Sequence, residues 1–179
     1  MIFTRKKRQV VYESDWMDLY LDHIVSEDGH EIEEYHVVHH KSKSVCVVIE
    51  NKEKVLFVKA KRYLINNFSW ELPAGKIEEG ENSLAAAQRE LKEETGYTAT
   101  HLKKIYTYMP SNSMHDQEID ICTGKLESDA CDVFDETEIK QTQWFSWQEI
   151  VEMIHSNAIS DGVTLLGLLM YNNLQTNGQ

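Results

Sequence analysis

Three glutamates, Glu90, Glu93 and Glu94, stand three and four residues apart in the run from Ser83 to Thr95. That run also carries Leu84, Ala85, Ala86, Ala87 and Leu91, and neither Gly nor Pro. It predicts a helix, with Asn82 or Ser83 placed to cap its start and Gly96 placed to end it in the left-handed conformation. On such a helix the three carboxylates crowd one side, and like charges at that spacing destabilise a bare helix by about 0.2–0.5 kcal/mol per pair. Arg89 stands four residues before Glu93, an opposite-charge pair that holds one carboxylate in place. Two readings satisfy the pattern. The carboxylates gather a divalent cation, in which case oxygen-only ligands favour Mg²⁺ or Mn²⁺ over zinc, or they form an ordinary solvated acidic face.

The spacing continues upstream and downstream. Gly75, Glu81, Arg89, Glu90, Leu91, Glu93, Glu94, Gly96 and Tyr97 together resemble the signature of the Nudix hydrolases; Tyr97 is aromatic where an aliphatic residue is usual. The run Glu71-Leu72-Pro73-Ala74-Gly75 before it is similar to that of the ADP-ribose and sugar-nucleotide pyrophosphatases. The resemblance implies an α/β (α+β) fold, a mixed sheet sandwiched between helices and preceded by an N-terminal antiparallel β-meander. It also implies a metal site of the Ala74 carbonyl, Glu90, Glu93 and Glu94 holding Mg²⁺ or Mn²⁺. Glu93 and Arg89 belong to the catalytic set, with Glu81 and Arg89 as orienting groups. Arg62 faces the substrate diphosphate, Glu71 contacts substrate or orients the loop, and Tyr12 and Trp16 stack on the base. From the residues alone Arg62 is equally readable as a solvated strand end, and Trp16 as a core residue. Glu136, on a late acidic loop, is the implied base and Glu138 its metal-facing neighbour.

The implied reaction is metal-dependent hydrolysis of the pyrophosphate bond of a nucleoside diphosphate sugar, in a homodimer. A Nudix-fold sensing module without catalysis is the alternative from another class, and a nucleoside triphosphate pyrophosphatase the nearer rival. The chain departs from the ADP-ribose pattern in one place. Asn112, fifteen residues past Tyr97, replaces the usual proline, so the preferred base and sugar stay open.

The elements that must position these groups are short strands. Residues 8–40 read as a meander: Val10 to Ser14, Trp16 to Ser26, a turn at Glu27-Asp28-Gly29-His30, and a return from Glu31 to His40. Trp16, Leu19, Leu21 and Ile24 are the candidates for its inward face. The histidines at 23, 30, 36, 39 and 40 lack a ligand pattern and read as surface residues. Ser44 to Ile49 is apolar on both faces and predicts a central strand, followed by Val55 to Lys59. Trp70 reads as core. Ala99 to Met109 and Glu118 to Leu126 predict strands flanking a polar loop, Pro110 to Gln117. Glu127 to Glu138 is an acidic loop. Ile139 to Phe145 is a last strand, and Ser146 to Glu149 opens a helix in capping-box form. A further helix covers Val163 to Tyr171. The expected division is 1–42 for the meander, as a dimerisation and base-contact element, and 43–179 for the hydrolase domain.

Composition excludes several classes. The chain has 179 residues, 41% hydrophobic and 27% charged, with a net charge of −12. That is globular rather than disordered, and too acidic for a general nucleic-acid binder. An anionic phosphate substrate would therefore need local cations. No apolar run reaches membrane-spanning length, and the start lacks the apolar core of a signal peptide. The basic cluster Arg5-Lys6-Lys7-Arg8 reads as a solvated terminus. Cys46, Cys122 and Cys131 lack metal-type spacing and read as reduced, mostly buried thiols of a cytoplasmic protein.

Overall fold

The computed structural model describes residues 2–128 and 137–177, the side chains of Ser128 and Asn177 excepted. Two compact units are formed, Met1–Lys43 with Met109–Glu118, and Ser44–Tyr108 with Ile119–Gln179. Among the described residues no helix is long and apolar enough to cross a membrane.

The first unit is an antiparallel sheet of β1 (Phe3–Glu13), β2 (Met17–Ser26) and β3 (Glu31–His40), in that order. Gly29, at φ 87°, makes the β2–β3 turn. Alternation is present but its sense is opposite to expectation. Asp18, Tyr20 and Asp22 are the buried residues of β2, while Trp16 is 75% exposed and Leu19 and Leu21 are half-buried. The cause is pairing. Asp18 accepts a hydrogen bond from Tyr20 Oη at 2.6 Å and meets Lys41 Nζ at 2.6 Å. Asp22 takes the Arg8 fork through two bonds of 2.7 Å, and that guanidinium lies 4.0 Å above the Tyr20 ring. Charges neutralised this way can be buried where lone ones cannot. The basic cluster lies in strand β1 and is solvent-exposed along its length, with Arg8 turned onto Asp22. The polar loop packs on β3: Val38 N–H donates to Met114 O at 2.9 Å, Tyr35 Oη donates to Ser113 O at 2.6 Å, and His39 Nδ1 meets Asp116 at 2.5 Å.

The second unit holds β4 (Ser44–Asn51), β5 (Lys54–Arg62), β6 (Asn67–Glu71), β7 (Ala74–Lys76), α1 (Ser83–Thr95), β8 (Thr98–Tyr108), β9 (Ile119–Ser128), β10 (Ile139–Ser146), α2 (Trp147–His155) and α3 (Gly162–Asn177). The sheet order is β10-β5-β4-β9-β8, with β6 added to β5 and β7 to β4. Strands β4 and β9 run parallel and the other pairs antiparallel. Lys52 and Glu53, at φ 50° and 60°, form the tight β4–β5 turn.

Strand β4 is central, and Val45 through Ile49 are all 0% exposed because helices cover both faces. On one side Ala86, Ala87 and Leu91 of α1 pack against Val45, Val47, Ile49, Leu56 and Cys122. On the other, Ile150 of α2 and Leu168 and Tyr171 of α3 pack against Cys46, Val48, Phe57 and Ile121. Trp70 packs against this second cluster, its ring edge-on to Phe145 at 5.0 Å. Cys46 and Cys122 are free and buried, as expected; Cys131 lies outside the described residues. Helix α1 begins and ends where the sequence places it. Asn82 accepts from the Leu84 and Ala85 N–H groups, and Gly96 closes the helix at φ 73°. The expected capping box at Ser146 and Glu149 is also present.

Leu91 is the fully buried contact that seats α1 on the sheet. Leu91→Ala should lower unfolding free energy by about 2–5 kcal/mol, read as a shifted urea midpoint with an unchanged slope.

Candidate active site

The acidic side chains of α1 reach the sheet through β7, whose three residues pair with Ser44–Cys46 at one end of β4. Buried Ala87 and Leu91 stand on the same helical face as Glu90 and Glu94, so seating the helix brings both carboxylates down onto the Ala74–Gly75 backbone. Glu94 is 8% exposed and accepts the Ala74 N–H at 3.0 Å. Gly75 is required by this approach. A Cβ on it would lie 2.1–2.4 Å from the Glu90 carboxyl atoms, well inside any permitted contact.

Arg89 ties the loop to the helix. Its Nε and Nη2 fork onto Glu81 at 3.1 and 2.9 Å, and Nη2 also reaches the Lys76 carbonyl at 2.8 Å. Nη1 bonds Glu90 at 2.7 Å and Glu93 at 3.1 Å. Glu81 is thereby held below the usual carboxylate range by its bond to Arg89. Glu90 is raised, burial outweighing Arg89. Glu94 is pushed up to about 8, first by burial and then by Glu90 and Glu71, against the Ala74 hydrogen bond and Arg62.

Arg62, at the end of β5, bonds Glu71 of β6 through Nε at 2.9 and 3.2 Å and through Nη2. Its side chain remains 41% exposed while that of Glu71 is 9% exposed. A cleft of about 330 Å³ opens beside the pair, lined also by Tyr63, Ser69, Ser160 and Asp161. Ser160 and Asp161 carry no local sequence signal of a site. Asp161 shows in the sequence only as a helix start, and it does cap α3, accepting the Thr164 N–H at 2.7 Å. Thr164 Oγ1 in turn accepts the Leu72 N–H at 3.1 Å, which brings the α3 start to the loop before Gly75. Only the tertiary fold reveals that placement.

The remaining sequence candidates fall as follows. Glu93 is half exposed. Glu138 is exposed, its carbonyl accepting the Lys61 N–H at 2.8 Å and its charge helping to raise the Arg62 pKa. Glu136 lies outside the described residues. Tyr12 and Trp16 are exposed on the N-terminal unit. Tyr97, unusual for its position, meets Trp144 edge-on at 5.5 Å and accepts its indole N–H at 3.1 Å.

Among the described residues no three His, Cys, Asp or Glu side chains converge as a preformed metal site; Glu90 and Glu93 instead turn to Arg89. The donors nevertheless fit a hard divalent cation. They are oxygens only, and Glu94 is a nearly buried carboxylate whose charge a cation would stabilise. Without a cation that burial has a consequence for stability. The unfolded chain loses the Glu94 proton near 4.5, whereas the folded chain keeps it to about 8. The associated stability is complete below 4.5 and is lost as pH rises through 8. In divalent-free buffer the wild-type urea midpoint should fall between about pH 5 and about pH 8.5 more than that of Glu94→Gln, and equal slopes would remove the assignment.

Comparison with known proteins agrees with this arrangement. The NUDIX domain model matches residues 38–164. The chain is 26% identical to the ADP-ribose pyrophosphatase of Bacillus subtilis (strain 168), over 88% of this chain and 85% of that one. It is 28% identical to a CMP-5'-(N-acetyl-N-hydroxy-3-aminopropyl)phosphonate hydrolase of Streptomyces rubellomurinus (strain ATCC 31215), over 79% and 68%. A crystal structure of an ADP compounds hydrolase superposes with a TM-score of 0.86 across 99% of this chain and 97% of that one, at 17% identity, a likeness of fold. With the signature loop, its glutamate helix and the mixed sheet all in place, the chain belongs to the Nudix family of hydrolases, which act on pyrophosphate bonds.

Proposed function

We propose that this hydrolase cleaves the pyrophosphate bond of a nucleoside diphosphate sugar, giving a nucleoside monophosphate and a sugar phosphate. The observation that carries the reading is the pairing of two features at one end of the sheet. Buried Glu94 lies beside Glu90 at the Ala74–Gly75 turn, and the half-exposed Arg62 guanidinium opens on a cleft. The names of the two curated relatives both describe a nucleotide carrying a further group.

In this reading Glu90, Glu93, Glu94 and the Ala74 carbonyl hold Mg²⁺ or Mn²⁺. When bound, such an ion supplies charge neutralisation at the diphosphate and a more acidic water. Arg89 and Glu81 keep the carboxylates aimed, and Glu90 and Glu93, bonded to Arg89, would be shared with the ion. Arg62, oriented by Glu71, receives the phosphate oxygens. Water attacks one phosphorus, Glu136 takes its proton with Glu138 beside it, and the bridging P–O bond breaks with its electrons leaving on the other phosphate. Tyr12 and Trp16 stack on the base. Free Cys46 and Cys122 suit the reducing cytoplasm.

The meander, taken as residues 1–42, serves as the dimerisation element. Its edge strand β1 exposes Val10, Val11 and Tyr12, each about half exposed, near the 75% exposed Trp16, an edge that a second copy would cover. Val10→Lys with Tyr12→Lys should convert a dimer to a monomer by light scattering; a wild-type monomer would sink the assembly.

The reaction is tested with a panel of ADP-ribose, other ADP-sugars, GDP-mannose, UDP-glucose and nucleoside triphosphates, with and without Mg²⁺. Monophosphate release from a nucleotide sugar, at least about a hundredfold lower in Glu94→Gln, is expected. Preference for triphosphates, or full activity in Glu94→Gln, would overturn it.

A further inference from the structure

The opposite end of the sheet carries a second cavity that the catalytic reading leaves unused. It measures about 490 Å³ and is lined by His101, Lys103, Thr123, Gly124, Lys125, Tyr171, Leu174 and Gln175. The strand register separates it from the active site. Strand β7 and the signature loop attach at Ser44–Cys46, whereas Thr123, Gly124 and Lys125 lie opposite Val48, Ile49 and Glu50. Four residues of extended strand span about 13 Å.

Three observations converge on this cavity. The first is charge: in a chain of net charge −12, the lining among the described residues presents Lys103, Lys125 and His101 and no carboxylate. The second is backbone geometry. Thr100 pairs with Lys125 and Lys103 with Thr123, so His101 and Leu102 together oppose Gly124 in a bulge. His101 is held at φ 54°, a conformation unfavourable for any residue with a side chain. Gly124 is needed beneath it, since a Cβ there would come within 2.9 Å of Thr100 O and of Leu102 Cδ2. Bulges of this kind re-aim side chains, and this one brings His101 to the rim beside the two lysines. The third is the far wall. It is apolar at Leu174, 44% exposed, and at the edge of buried Tyr171, whose ring is stacked on Trp147 at 6.2 Å and 7°. The volume lies in the range of small-molecule sites.

We infer that this cavity is a second, non-catalytic binding site for a small anion with a flat apolar body, a phosphomonoester or a carboxylate. The lysines and His101 take the charged end, and Tyr171 and Leu174 take the body. Occupancy would tie the β8–β9 bulge to α3, whose first turn reaches the active-site loop through Thr164 and Leu72.

The test is calorimetric titration of the full chain in divalent-free buffer with phenyl phosphate, phenylacetate and inorganic phosphate. Three proteins are compared: wild type, Lys103→Ala/Lys125→Ala, and Arg62→Ala. Phenyl phosphate should saturate wild type and Arg62→Ala alike and bind the double variant about tenfold more weakly or worse. The double variant should keep the wild-type thermal midpoint. Inorganic phosphate should bind more weakly than phenyl phosphate. Phenylacetate binding with the same lysine dependence identifies the anion as a carboxylate and supports the site. Failure of both aromatic probes to saturate wild type, equal binding by the double variant, loss in Arg62→Ala, or equal affinity for inorganic phosphate would each overturn the inference.

Discussion

Arg89 is the constraint on which the acidic end of this molecule depends. One guanidinium bonds a loop carboxylate, a strand carbonyl and two helix carboxylates. Remove it and Glu81, Glu90 and Glu93 repel across a few ångströms, with Glu94 already buried behind them. A planar group with five donors answers several acceptors at once; a lysine at the same place would be a point charge serving them less selectively. The helix, the signature loop and β7 are therefore tied together, and Arg89 offsets part of the repulsion among the carboxylates it bonds.

What Arg89 gathers, the sheet holds in place. Strand β4 is buried on both faces, with α1 seated on Val45, Val47 and Ile49 and α3 on Cys46 and Val48, so neither helix can shift without disturbing the same strand. Helix α1 is seated by Ala86, Ala87 and Leu91 and is further tied by Asp120, which accepts from Ser83 at the helix start and from Thr107 of β8. Close packing of this kind transmits position well. Gly75 and Gly167 mark where it is tightest, each with a neighbouring side chain in the space of a missing Cβ.

Much of this was legible in the residues. Helix α1 could be read to its caps because Asn82, Gly96 and an alanine-rich middle agree with one another. Strand β4 was as plain, because a short β-branched run that is apolar on both faces has to be covered on both. The meander was legible in its strands and not in its faces. Leu19 and Leu21 outrank Asp18 and Asp22 on any hydrophobic scale, and only the partners, Lys41, Tyr20 and Arg8, make the aspartates buriable. Lys41 and Arg8 lie far along the chain from the aspartates they meet, beyond the reach of a local pattern. The same applies to Asp161 and Ser160, which reach the Arg62 cleft through the placement of α3. The histidines show it too, since His39 finds Asp116 only once the loop folds back on β3.

The paired charges inside the meander do more than permit burial. In a sheet, sliding one strand by a single residue turns every side chain over. Here that slip would strand Asp18 and Asp22 away from Lys41 and Arg8 and drive leucines into a polar lining. The ionic contacts act as an alignment key: strands that are out of step cannot close, and the N-terminal unit is left one arrangement in which to assemble.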